Sequence, residues 1–224
     1  MTATMRTARL AAALTLMTLL LTSCREAPAA NTAGQGAAAI ALAGDAQAAD
    51  SHAGHGSAPA PAEASEFSIY DLESAWQDQQ GATLALRDLQ SRPRVIAMVY
   101  TSCAYACPRI LKDMKRIEGE LRAEGIDAGY VMVSLDPERD TPARLAEYAA
   151  STLLDPQDWT LLTGTQDGIL ELATLLGVRY RRVSETDFEH SNVITLLDGD
   201  GRIVHRQVGL NAEPAALIQA ARSL

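Results

Sequence analysis

Lysine is almost missing from this chain. Lys112 and Lys115 are the only two, and 19 basic residues stand against 28 acidic ones for a formal net charge of −9. A body this acidic lacks the electrostatic footprint of a nucleic-acid binder and gives little grip on an anionic lipid surface. Long apolar runs are missing as well. The best candidate, LAAALTLMTLLL at 10–21, falls short of the roughly 20 residues a helix needs to cross a bilayer. Cysteine is scarce, with Cys24, Cys103 and Cys107 the full set, too few for a scaffold built from disulfides. No internal repeat is visible.

What is present begins with an address. Arg6 and Arg9 precede the apolar run, and LTSC (21–24) closes it. A charged start, a short apolar stretch and small residues before a processing point describe an export signal. Leu21-Thr22-Ser23-Cys24 resembles the lipobox of bacterial lipoproteins, which predicts loss of residues 1–23 and a lipid on Cys24. The plainer alternative is an ordinary signal peptide that contains a cysteine. Removal of 1–23 leaves 17 basic and 28 acidic residues. Cys24 then drops out of the count, and an even pair of cysteines remains.

Residues 24–64 are dominated by Ala, Gly, Ser and Pro. Such a segment cannot bury enough surface to offset its ordering entropy and is expected to act as a flexible tether. His52 and His55, in SHAGHG, fall there. They could pick up Cu(II) or zinc transiently beside Asp50, but a low-complexity tail explains them as well. The folded domain is expected over 65–224.

Within it, FSIYDL (67–72) and ATLALRDL (82–89) read as two strands of an N-terminal hairpin. RVIAMVY (94–100) and AGYVMVSLD (128–136) are continuous apolar runs, as in strands covered on both faces. Between them Ile110, Leu111, Met114, Ile117 and Leu121 share one helical face, ended by Gly125. Thr141 and Pro142 open another helix in cap and first-turn order. WTLLTG (159–164) is a strand and GILELATLLG (168–177) a helix. SNVITLLD (191–198) and RIVHRQVG (202–209) form a hairpin across Asp198-Gly199-Asp200-Gly201, and Pro214 starts a last helix. The order predicts an α/β domain of the thioredoxin type, with a central mixed sheet and helices on both faces.

The informative stretch is TSCAYACP (101–108). Cys107 stands where loop becomes helix, after the first buried strand, at the carboxyl edge where open α/β sheets carry their sites. Amide donors and the helix dipole there favour a thiolate. A structural disulfide this local would stabilise little. A thioredoxin-like oxidoreductase has two residues between its cysteines and a proline facing them. Here there are three, and no proline occurs between Pro156 and Pro214. His190, in DFEHSNVITLL, lies where the facing strand begins. Two thiolates and an imidazole suit copper, and three ligands leave an open site rather than a closed structural zinc. His205 is expected to face solvent. Asp198 and Asp200 read as turn residues, and Asp136 and Asp140 as helix-entry residues with a supporting role near the site as the alternative.

The chain resembles the SCO/SenC family of copper-binding assembly factors. Tyr100, Thr101, Cys103, Cys107 and Pro108 match its aromatic-Thr-x-Cys-x-x-x-Cys-Pro signature. SLDPERDTP (134–142), DWTLLTG (158–164) and FEHSNVITLLDGDGRI (188–203) match three further segments in order. Two departures are Ala104, where many members have proline, and Glu189, where aspartate is common. The resemblance implies copper, Cu(I) or Cu(II), held by Cys103, Cys107 and His190 in a periplasmic domain tethered to the bacterial envelope. It implies a metallochaperone rather than an enzyme. Its partner would be cytochrome c oxidase subunit II, whose CuA centre it helps assemble, or another periplasmic copper chaperone. The alternative it leaves open is a thiol–disulfide reductase for that site, working through Cys103 and Cys107. No apolar stripe demands a dimer.

Overall fold

The computed structural model describes residues 67–224. Cys24, His52 and His55, the leader and the tether lie outside the described residues, so those expectations stay as stated. The organising feature is a seven-stranded sheet. Its strands are β1 (Ala75–Asp78), β2 (Thr83–Ala85), β3 (Arg94–Val99), β4 (Gly129–Ser134), β5 (Trp159–Gly164), β8 (Val193–Leu197) and β9 (Ile203–Val208), in the order β2-β1-β5-β4-β3-β8-β9. β3, β4 and β5 run parallel, and the flanking pairs are antiparallel. β3 and β4 are buried along their whole length, which is why their sequences show no polar alternation.

The side chains of β3 alternate between two cores. Val95, Ala97 and Val99 meet α1 (Ala106–Ala123), α2 (Pro142–Ser151) and α4 (Ala215–Ala221). Ile96 and Met98 point to the other face, against Ile169, Leu172 and Leu176 of α3 (Gln166–Leu176). Thr141 caps α2 by accepting the Arg144 amide, and Thr165 caps α3 by accepting that of Gly168. Gly177 ends α3 with φ 71°, a conformation that favours glycine.

The entry segment differs from the expectation. Residues 67–72 and 86–89 are not strands; both curl into short 3-10 turns. The Ser68 hydroxyl accepts the Tyr70 amide at 3.0 Å, and Asp88 accepts the Ala85 amide at 2.9 Å. These local side-chain bonds turn the backbone before a ladder can form. The hairpin is shorter, β1 with β2, and joins the sheet edge through β1 and β5. A second, unexpected hairpin stands outside the sheet: β6 (Tyr180–Arg182) with β7 (Phe188–His190). No described helix is long and apolar enough to cross a membrane.

Candidate functional site

The register of β3 with β8 sets the site. Ala97 pairs with Ile194 and Arg94 with Leu197. Continuing that ladder brings residues 190–191 opposite the turn that follows Val99. The turn begins with the Cys103 amide donating to the Tyr100 carbonyl at 3.2 Å and ends in the first turn of α1. Cys107 is 1% exposed and packs with Ile110 and Val99, whereas Cys103 is only partly covered. The Cys107 amide donates to Cys103 Sγ at 3.4 Å, and the Tyr100 amide to Cys107 Sγ at 3.5 Å.

His190 closes the arrangement from the other wall. Its Nε2 lies 3.8 Å from Cys107 Sγ, and its Nδ1 is 3.1 Å from the Ser191 carbonyl oxygen. A carbonyl only accepts, so Nδ1 carries the proton and Nε2 presents a lone pair toward the thiol. A thiolate about 2.3 Å and an imidazole nitrogen about 2.0 Å from one shared ion can stand at most about 4.3 Å apart. The observed separation falls within that reach. Among the described residues no three such side chains are yet drawn tightly enough to form a preformed metal cage. Cys103, Cys107 and His190 nevertheless lie side by side on facing walls.

The two thiols differ in acidity. Burial works against the Cys103 thiolate. Hydrogen bonds from the Cys107 and Tyr105 backbone and from the Cys107 and Tyr100 side chains outweigh it, so the Cys103 pKa falls below the ordinary thiol value. Burial pushes the Cys107 thiol strongly upward, reinforced by the neighbouring Cys103 and by Asp140. The helix-dipole argument for Cys107 therefore points to the wrong cysteine, because desolvation beats the dipole at a fully enclosed sulfur. Burial also lowers the His190 pKa, which keeps its ring neutral and able to bind metal.

Three supporting residues were undervalued or missed in the sequence. Tyr100 is buried, and its hydroxyl both accepts the Phe188 amide and donates to the Phe188 carbonyl, each at 3.3 Å. Its ring meets Phe188 edge-on at 5.3 Å and His190 at 6.0 Å. Burial pushes the Tyr100 hydroxyl pKa up to about 12, so it stays protonated and can donate. Asp140, 0% exposed, is no helix cap. It accepts the Thr101 amide at 3.0 Å, the Thr101 hydroxyl at 2.6 Å and the Ser134 hydroxyl at 2.6 Å, and so pins the start of the cysteine turn. The signal was available: Thr141 already caps α2, which leaves a preceding acid surplus to that role. Asp136 is fully buried in contact with Arg139, and Arg139 also donates to the Glu185 carbonyl at the tip of the second hairpin. His205 is half-buried on β9 opposite Leu196 rather than open to solvent, since β9 is covered on part of its outer side. Asp198 accepts the Asp200 and Arg202 amides, as a turn residue should.

Residues 65–224 match the SCO1/SenC family along their whole length. The chain belongs to the SCO1/SenC family. The SCO1 protein homolog of Bacillus subtilis (strain 168) is 27% identical over 149 residues, 65% of this chain and 77% of that protein. Across the curated relatives the match spans between 62% and 77% of the relative's own length. Among solved structures, BsSco is described as a member of the Sco family of cytochrome c oxidase assembly proteins with a disulfide switch. It is 27% identical with a TM-score of 0.60, covering 69% of this chain and 93% of its own. Copper-bound ScoI of Bradyrhizobium japonicum is 29% identical with a TM-score of 0.52, over 67% of this chain and 96% of its own. The SCO1/SenC domain has the thioredoxin-like mixed sheet expected of it.

Proposed function

We propose that this chain is a copper chaperone that holds the metal through Cys103, Cys107 and His190. It would hand the metal to the CuA centre of cytochrome c oxidase subunit II. The observation that carries the reading is the 3.8 Å approach of His190 Nε2 to Cys107 Sγ, with Cys103 beside it on the same turn. Two sulfur donors and one imidazole are a soft, three-coordinate set suited to Cu(I). Partial exposure of Cys103 gives an acceptor's ligand a place to attack, and release then proceeds by exchange of one donor at a time. The export signal and the LTSC sequence support a processed protein, anchored by lipid on Cys24. The 24–64 tether would leave the domain in the periplasm within reach of a membrane partner.

One observation favours a second reading. The acidities of the two thiols are split, with Cys103 lowered and Cys107 raised. An attacking thiolate beside a protonated resolving thiol is the arrangement of a disulfide reductase. In that role Cys103 attacks a disulfide of the apo acceptor and Cys107 then displaces it. The acceptor thiol leaves reduced, and a Cys103–Cys107 disulfide forms here.

Competition for Cu(I) against a chromophoric chelator separates the two. The reduced chain, His190→Ala and Cys103→Ser/Cys107→Ser are compared. One copper held by the wild type and released on loss of His190 supports the chaperone. Equal loss of copper by all three proteins removes it and leaves the reductase.

A further inference from the structure

The loop that carries the two cysteines runs straight into a helix whose outer face has an unmatched charge. Tyr105, Arg109 and Lys112 are spaced by four and then three residues at the start of α1. That spacing places them in one stripe on the helix surface. Arg116 continues the row but already pairs with Glu213 at 3.4 Å. Tyr105 sits between the cysteines and is 70% exposed. Arg109 lies over it, with Cζ 3.8 Å from the ring centroid and a further bond from its guanidinium to the Tyr105 carbonyl at 3.4 Å. The stack holds both side chains in place, so little rotamer freedom remains to be lost on binding. Neither Arg109 nor Lys112 has a carboxylate partner among the described residues.

Several exposed arginines elsewhere stand beside an acid, Arg122 beside Glu118, Arg202 beside Asp200 and Arg222 beside Glu124, while exposed Arg87 on the 86–89 turn has no carboxylate partner among the described residues. Across the mouth of the site, Arg179 borders a cleft with His190 and Ser191 and is likewise without a carboxylate. Three cations without a carboxylate partner among the described residues, Arg109, Lys112 and Arg179, thus lie around the site on a chain of net charge −9. Tyrosine and arginine are also the residues that most often carry binding energy.

We infer that the Tyr105–Arg109–Lys112 stripe is a docking face for an acidic protein surface, that of the copper acceptor. The biological purpose rests on the copper reading above, while the docking itself requires no metal. The stripe starts inside the cysteine turn, so a partner seated on it brings its own ligands against Cys103. A protein fits better than a lipid surface. Two unpaired cations on a strongly acidic chain offer a membrane little, and a braced aromatic is a shape-specific contact rather than a diffuse one.

The test uses the full chain, its Arg109→Glu/Lys112→Glu variant and the charge-keeping Arg109→Lys/Lys112→Arg variant. Association with the soluble copper-site domain of cytochrome c oxidase subunit II is followed by surface plasmon resonance. It is measured at low and high salt, with and without copper, after equal thermal melts show that all three are folded. Charge reversal is expected to weaken association about tenfold or more at low salt, with the gap closing as salt screens it. The charge-keeping variant retains the salt dependence. Equal association by wild type and reversal, or none by the wild type, overturns the proposal. So does a loss seen only on vesicles of equal phosphatidylcholine and phosphatidylglycerol, which would make the stripe a membrane contact. Salt-sensitive association of the metal-free chain stands even if the chelator assay finds no copper site. In that case the chaperone reading falls and the docking face remains.

Discussion

The two walls of the site are built differently. The cysteine wall is an extension of the central sheet and of α1, with Val99, Cys107, Ile110 and Met114 in one core. Its turn is tied down by Asp140, which accepts three hydrogen bonds. The histidine wall is a three-residue pair, β6 with β7, outside that sheet. It is attached by side chains: Tyr100 to both backbone groups of Phe188, Gln166 to the Tyr180 hydroxyl at 2.8 Å, Arg139 to the Glu185 carbonyl. One wall is placed by many cooperative contacts and the other by a few separable ones. Two of the proposed ligands thus sit within the main sheet and α1, while the third is carried on a short hairpin held largely by side-chain bonds. That suits a metal that must be taken up and released.

The largest effect that would break this contrast concerns the proposed ligands. Cys107→Ser and His190→Ala should each weaken Cu(I) affinity by more than about 100-fold, beyond what loss of a supporting partner costs. Chelator competition reads both, and an unaffected Cys107→Ser would show that the buried sulfur is no ligand. Next comes Asp140→Ala. It strands the buried Ser134 hydroxyl and two half-buried Thr101 donors and should lower unfolding free energy by about 3 kcal/mol in urea titration, with the whole domain destabilised because this wall is part of the sheet. A change below about 0.5 kcal/mol would mean that water replaces the carboxylate.

Tyr100→Phe tests the other wall. It should cost only about 1 kcal/mol of global stability but raise amide exchange in 180–190 selectively and reduce copper affinity about tenfold. Equal exchange in the hairpin and in β8 would erase the distinction between the walls.

Two smaller effects sharpen the comparison. Iodoacetamide should modify Cys103 well before Cys107 in the reduced, metal-free protein, with a rate midpoint below that of an ordinary thiol. Mass spectrometry of the first adduct decides this. For His190 burial depresses the folded pKa, so protonation is easier in the unfolded chain. Stability is therefore full above the unfolded value of about 6.5 and declines as pH falls from there toward the folded pKa. His190→Ala should flatten that part of the stability profile, and an unchanged slope would assign it to other groups such as His205.

Much of the architecture was legible in the residue pattern. Arg94–Val99 and Gly129–Ser134 are apolar without interruption because both faces are covered. Thr141 and Gly177 mark helix ends through bonds made within a few residues, whereas the Thr165 cap, three residues before the expected helix start, went unread. Where local bonds compete with pattern, as at Ser68 and Asp88, apolar alternation misleads and a strand is expected where a turn forms. The 180–190 hairpin was invisible for a related reason. Three-residue strands rich in arginine and glutamate carry no burial signal, and the pair exists because Tyr100 and Phe188 anchor it from 88 residues away in sequence.

By itself the sequence determined most of the strand and helix order, the caps at Thr141 and Gly177 and the candidacy of Cys103, Cys107 and His190, because these depend on side-chain type and short spacing. Tertiary structure alone decided which sulfur is acidic, what Asp140 holds and how near His190 comes. Burial and hydrogen bonding between segments far apart in the chain set those quantities, and no local pattern encodes them.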